Sequence, residues 1–367
     1  MLFMARRINI FLAALALVPA TLAAPQNRTA VSAPARILLQ PRFTPGQVMR
    51  YRMALESTST TRRSTLVRDP QGPTQLGVAW NATVRLEVFA AESTAGPTGS
   101  PAASPMRLRI TYESSAATVR SDAPEPRSGE IQQQYAQLAG RSLEFTLTPG
   151  GRVSDIRGLD DFLSDERARA AVQQWVVQLS AAAATPLGGV VAGQKWNSTQ
   201  PADLPLAGLS WRTDSTYLRN EPCRLANSSD AAAGAAAASD RQDCAVILSR
   251  LALVTTRALR DPTPDEYRRN GLRTSGRWFA SGQNLMYVSL DTGWVVSSTQ
   301  ESSEEMDVVI TSSAAATAGN AGSATPADSV RHSGAVTTRS QVSLLKDAPP
   351  ELKDDAPSAA SPAPPAR

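Results

Sequence analysis

Apolar and polar residues alternate strictly in three segments of the first half of the chain. Met49, Tyr51 and Met53 alternate with arginines, and the same period of two recurs over residues 78–88 and 106–112. Successive side chains of a β-strand point to opposite faces, so this pattern indicates antiparallel strands with one buried and one solvated face. The sequence therefore predicts a mainly β fold made of antiparallel meanders.

One segment has helical spacing instead. Apolar residues, among them Phe162 and Trp175, recur every three or four positions between residues 159 and 184. Acidic residues crowd the beginning of this segment, where they complement the positive end of a helix dipole. We expect one amphipathic helix over residues 159–184, packed on the sheet.

The strand and turn pattern restarts after this segment. Residues 192–196 resemble residues 45–49, and residues 289–297 resemble residues 147–155. These matches favour a duplicated meander unit, and chance matching of turn residues is the alternative.

The first 23 residues have the features of a cleavable signal peptide. Arg6 and Arg7 precede an apolar run over residues 8–22, and small residues follow Pro19. The run is shorter than the roughly 20 residues that span a bilayer. We expect an exported protein, periplasmic or extracellular, that is not integral to a membrane once the signal is removed.

Composition divides the remainder of the chain. We expect a flexible lead-in at 24–35, a first β meander at 36–158, the helix at 159–184, a second β meander at 185–311 with a flexible insert at 224–243, a low-complexity linker at 312–335, a closing strand at 336–346 and a disordered Pro/Ala tail at 347–367.

Cys223 and Cys244 are the only cysteines of the chain. An even, small number of cysteines in an exported protein favours a disulfide, and the short Cys-x-x-Cys spacing of redox pairs is absent. Closing a loop of about 20 residues would stabilise the fold by about 3 kcal/mol in the chain-entropy model. We predict a structural disulfide.

Catalytic chemistry has few candidate residues. The single histidine, His332, falls in the predicted linker, so no rigid Ser-His-Asp, Cys-His or histidine-based metal site can be built. Ser343 and Lys346 fit the S-x-x-K pattern, but its companion motifs are missing. We predict no catalytic or metal-binding residue and no cofactor. The arginines are dispersed, which argues against nucleic-acid binding.

Two resemblances bear on function. Residues 43–56 and 148–158 resemble a domain of unknown function found in secreted proteins of environmental bacteria, which implies no activity. Meanders with one helix also resemble periplasmic carriers, in which a curved sheet wraps an apolar ligand. This second resemblance implies an apolar pocket, which we place at the following residues: Met49, Tyr51, Trp80, Leu108, Phe162 and Trp175.

Three functional hypotheses follow. The first is a non-enzymatic envelope protein that binds a lipid, another hydrophobic ligand or an envelope protein. The second is a structural or adhesion-type surface domain without a small ligand. The third is a hydrolase that uses carboxylates alone, which requires acidic side chains converging in a cleft. A hollow interior would favour the first hypothesis and a solid core the second.

Overall fold

The computed structural model describes part of the unit formed by residues 36–367. The described residues are 36–65, 74–89, 105–122, 128–148, 153–158, 185–186, 188–226, 241–312 and 329–346. The predicted signal peptide, the predicted helix at 159–184 and the predicted tail at 347–367 lie outside them.

The described chain is dominated by long strands. The strands are β1 (Val48–Thr65), β2 (Thr74–Phe89), β3 (Met106–Ser121), β4 (Ser142–Leu147), β5 (Val153–Arg157), β6 (Lys195–Pro201), β7 (Leu209–Arg224), β8 (Arg241–Thr255), β9 (Leu272–Ser289), β10 (Val295–Ser312) and β11 (Ser329–Leu344). Two helices accompany them, α1 (Ser128–Ala136) and α2 (Asp265–Arg269). The predicted mainly β fold is confirmed.

All eleven strands form one antiparallel sheet. Its order is β5-β4-β3-β2-β1-β11-β10-β9-β8-β7-β6. Strands β1 to β5 form one meander and β6 to β11 form another, and pairing of β1 with β11 joins the two. The first and last long strands of the chain therefore lie side by side in the middle of the sheet.

The first core cluster lies on one face of the first meander, which we call the core face. Tyr51 lies opposite Val84 on one side and opposite Leu344 on the other, so the alternating residues of three strands share this face. Its fully buried members include Tyr51, Val84, Leu108, Ile110, Tyr112 and Leu143. The arginines that alternate with them, such as Arg50, point to the opposite face, which we call the open face.

A second core cluster lies at the same end of the second meander. It contains Leu39, Val190, Tyr217, Ala245, Ile247, Met286, Val288 and Val295. The segment before β1 packs here, because the backbone N–H of Ile37 donates to the Val190 carbonyl at 2.8 Å. Gly293 has φ +70°, and a Cβ there would collide with the Gln40 carbonyl oxygen, so this approach requires glycine.

The predicted disulfide between Cys223 and Cys244 is confirmed. It links β7 to β8 with a Cα–Cα distance of 5.8 Å. The two strands extend to Arg224 and from Arg241, so they include both ends of the segment predicted as a flexible insert. The described residues contain no helix long and apolar enough to cross a membrane.

Strand β11 begins at Ser329, seven residues before the closing strand expected from Val336. His332 consequently lies in this strand, opposite Val308 of β10, and not in a linker. The start of β11 has small residues and no apolar alternation, but it pairs with β1 on one side and β10 on the other. Pairing on both edges supplies the backbone hydrogen bonds that local pattern does not indicate.

Candidate functional site

The residues predicted to line an apolar pocket do not all have the same surroundings in the structure. Met49, Tyr51 and Leu108 are only 4%, 2% and 1% exposed, and all three belong to the first core cluster. Burial raises the pKa of the Tyr51 phenol, as expected for a hydroxyl removed from water. Trp80 is half-buried at the border of this cluster. Phe162 and Trp175 lie outside the described residues.

Trp80 connects the sheet to helix α1. Its indole Nε1–H donates to Ser115 Oγ at 2.9 Å, and that hydroxyl donates to the Tyr135 carbonyl at 2.6 Å. The rings of Trp80 and Tyr135 are also in contact, with centroids 5.6 Å apart. Helix α1 is therefore held against β2 and β3 where the first core cluster ends.

The core face continues beyond the two core clusters with half-buried apolar side chains. The strand registers place the following residues there, and we call them the apolar stripe: Leu55, Val78, Val119, Leu251, Trp278, Met306 and Val336. None of them belongs to a core cluster. The Trp278 indole N–H is shielded from solvent and has no acceptor among the described residues. Ser302 and Thr338 are on the same face, so hydroxyl groups lie beside the apolar stripe.

A row of charged and amide side chains crosses the open face. Each member lies directly opposite the next on a neighbouring strand, in the order Glu56, Arg339, Glu301, Gln283, Arg250 and Asp214. We call this the charged row. Glu301 and Arg339 form an ion pair with 3.5 Å between Oε1 and Nε. Asp214 accepts instead from Arg212 of its own strand, with 3.0 Å between Oδ1 and Nη2.

A second row runs beside the charged row and carries hydroxyl groups. Thr58, Thr337, Ser303 and Ser281 lie directly opposite one another on β1, β11, β10 and β9, and we call them the hydroxyl row. The two rows line an open groove of about 860 Å³. Between the two rows β9 lies close to β10 at Gly282, where a Cβ would lie 2.7 Å from the Glu301 carbonyl oxygen and would point to the core face, because Gly282 lies opposite Ser302.

Carboxyl groups with perturbed pKa values lie elsewhere. Hydrogen bonds from Arg109 and Arg107 lower the pKa of Glu144, and Arg331 lowers that of Asp307. Tyr287 and Arg219 lower the pKa of Glu221, and bonds from Thr263 lower that of Asp261.

Lowered pKa values favour permanently ionised carboxylates, whereas a glycosidase needs a general acid whose pKa is raised. Among the described residues, these shifts give the carboxylate-only hydrolase no support. The same residues contain no group of three or more histidine, cysteine, aspartate or glutamate side chains able to hold a metal ion.

Comparisons with known proteins give only weak similarities. No family model and no curated protein matches the chain. A structure titled "Lipid-protein interactions in lipovitellin" is 11% identical with a TM-score of 0.39, over 84% of this chain and 26% of that one. The chain therefore spans about a quarter of that protein. The outer membrane protein OprG from Pseudomonas aeruginosa is 8% identical with a TM-score of 0.17, over 83% of this chain and 99% of that one. Similarities at this level define neither a fold family nor a function.

Proposed function

We propose that the protein is an exported, non-enzymatic binding protein that holds a lipid or another hydrophobic ligand against the apolar stripe. The observation that carries this proposal is the stripe itself, whose half-buried side chains extend the core face beyond both core clusters. Covering such side chains is favourable by about 25 cal/mol for each Å² of apolar surface removed from water.

The polar groups on the same face favour an amphiphilic ligand over a pure hydrocarbon. Ser302 and Thr338 offer hydroxyl groups between the apolar side chains. Trp278 brings a shielded indole N–H that needs an acceptor, such as an ester or carboxyl oxygen. The Cys223–Cys244 disulfide fits an oxidising compartment outside the cytoplasm, as export requires.

A structural or surface-adhesion role is the second candidate, and the burial of the core clusters favours it. Met49, Tyr51 and Leu108, which we expected around a pocket, are packed against other core residues. A sheet stabilised by its own core would need no ligand. Edge strand β6 is polar and largely exposed, which leaves it accessible to a protein partner.

Native mass spectrometry of the mature chain tests the proposal. Purified from a bacterial periplasm or incubated with extracted envelope lipids, the protein should carry a reproducible added mass that organic extraction removes. Trp278→Ala should abolish or strongly reduce this added mass, because it removes the largest side chain of the stripe.

Phe279→Ala is the matched control. Phe279 follows Trp278 in β9, points to the open face and is 58% exposed, so its loss should leave lipid binding unchanged. Thermal melting must show that both variants are folded. If the measured mass equals that of the protein alone under all these conditions, the hydrophobic-ligand proposal is wrong and the structural role is favoured.

A further inference from the structure

The open-face groove is a regular surface built from six neighbouring strands. Adjacent strands are about 4.8 Å apart, so the charged row spans about 24 Å from Glu56 on β1 to Asp214 on β7. The hydroxyl row lies two residues farther along each strand, about 7 Å away. The groove therefore runs across the strands and suits an extended ligand lying in that direction.

The two rows offer hydrogen-bond donors and acceptors in alternation. Carboxylates accept only, guanidinium groups donate only, and the Gln283 amide does both. Among the described residues Arg250 forms no ion pair, because the Asp214 carboxylate opposite it is bonded to Arg212. Its guanidinium donors are therefore available to a ligand. Sugar hydroxyls both donate and accept, so they match such an alternating surface along its whole length.

The net charge of the groove argues against strongly charged ligands. Three carboxylates and two guanidinium groups leave it close to neutral, so a polyanion such as a nucleic acid gains little from it. Small side chains such as those of Ala252 and Ser281 leave the floor without deep pockets for peptide side chains. One strand spacing is close to the length of a single pyranose unit in an extended glycan.

An aromatic side chain lies next to the groove. Phe279 precedes Ser281 by two positions in β9 and shares its face, and 58% of its surface is exposed. It lies opposite Glu305 of β10, one row beyond the hydroxyl row. An exposed apolar ring beside polar side chains can stack against the C–H face of a pyranose ring.

We propose that this groove is a second binding site, distinct from the apolar stripe, and that its ligand is a neutral, extended glycan. The charged and hydroxyl rows bond successive sugar units across the strands, and Phe279 stacks on one of them. Both rows point to the face opposite the stripe, and the stripe residue Leu251 also borders the groove, so separate variants on each face test the two proposals independently.

Isothermal titration calorimetry of the mature chain with cellohexaose and chitohexaose tests this inference. At least one of these neutral glycans should bind, and hexagalacturonate, an acidic glycan of equal length, should bind more weakly. Arg250→Ala and Phe279→Ala should each weaken the affinity by about tenfold, because they remove charged hydrogen bonds and the stacking surface respectively.

Two control variants separate the groove from the rest of the surface. Arg269→Ala makes the same charge change on α2, away from the groove, and Trp278→Ala alters the core face, so both should keep wild-type affinity. Glycan binding that survives Arg250→Ala and Phe279→Ala would overturn the assignment to this groove. Absence of binding to both neutral hexasaccharides at millimolar concentration, or tighter binding of a Ser/Thr-rich peptide of equal length, would overturn the ligand class.

Discussion

Tyr51 of β1 lies directly opposite Leu344 of β11, although nearly the whole folded chain separates them in sequence. Both side chains are buried in the first core cluster, at 2% and 8% exposure. This pair stands at one end of the ladder that joins the two meanders into a single sheet. The stability of the whole sheet should therefore respond to small changes in β11.

Gly334 of β11 offers a sensitive position in this ladder. A Cβ there would lie 2.5 Å from the Thr60 carbonyl oxygen of β1, so one of the two strands would have to move. We expect Gly334→Ala to lower the free energy of unfolding by about 1–3 kcal/mol, the usual effect of overpacking. Urea unfolding followed by circular dichroism measures it.

Gly77→Ala is the control for this substitution. In β2 the nearest atom to the added Cβ is the Arg120 carbonyl oxygen at 3.8 Å, an ordinary contact. Alanine is favoured over glycine in a strand by about 0.5–1 kcal/mol, so this variant should be neutral or slightly more stable. Equal losses in both variants would show that the close approach of β1 and β11 has no energetic effect.

The Cys223–Cys244 disulfide should contribute measurably to stability. It closes a loop with a sequence separation of 21 residues, which corresponds to about 3 kcal/mol in the chain-entropy model. The double variant Cys223→Ala/Cys244→Ala should unfold at a correspondingly lower urea concentration. Dithiothreitol should bring the wild-type protein to the same value and leave the double variant unchanged. If dithiothreitol leaves the urea midpoint of the wild-type protein unchanged, this expectation is wrong.

Ser115 connects Trp80 to helix α1 through two hydrogen bonds. Ser115→Ala leaves the Trp80 indole N–H and the Tyr135 carbonyl without this partner. The Tyr135 carbonyl keeps the backbone N–H of Leu138 as a donor, so the Trp80 N–H is the group left unpaired, and leaving a buried polar group unpaired costs about 1–3 kcal/mol. We expect a loss of that order in urea unfolding, together with a shift in tryptophan emission. Thr118→Ala, an exposed position of the same strand on the open face, should leave both readouts unchanged.

Local pattern was sufficient to predict the strands of the first meander. The alternation around Tyr51 and Leu108 indicated both the strands and their buried face, because burial on one face of a sheet imposes a period of two. The disulfide was predictable because only two cysteines exist. Met49, Tyr51 and Leu108 are all buried in the first core cluster, and the apolar pocket expected around them stays a prediction.

The groove could not be predicted in the same way. Its charged row depends on Arg339 lying opposite both Glu56 and Glu301, and that register follows from the pairing of β11 with two other strands. Serine, threonine and glycine around His332 show no alternation, so the sequence pattern indicates a linker there. Long-range pairing determines which residues share a face, and a single sequence carries little information about it.

Glu144 should make the stability of the first meander depend on pH. Hydrogen bonds from Arg109 and Arg107 hold its pKa below the ordinary value of 4.5. A carboxyl whose folded pKa is lowered stabilises the fold above its unfolded pKa, and this contribution disappears as the pH falls through the folded pKa. Glu144→Gln should therefore be less stable than the wild-type protein at pH 7, and the difference should shrink below pH 4.5.

Urea midpoints of both proteins across this range measure the effect, with Glu266→Gln on exposed α2 as the control. A difference between Glu144→Gln and wild type that stays constant as the pH falls through this range would show that the arginine pair gives Glu144 no ionisation-dependent stability.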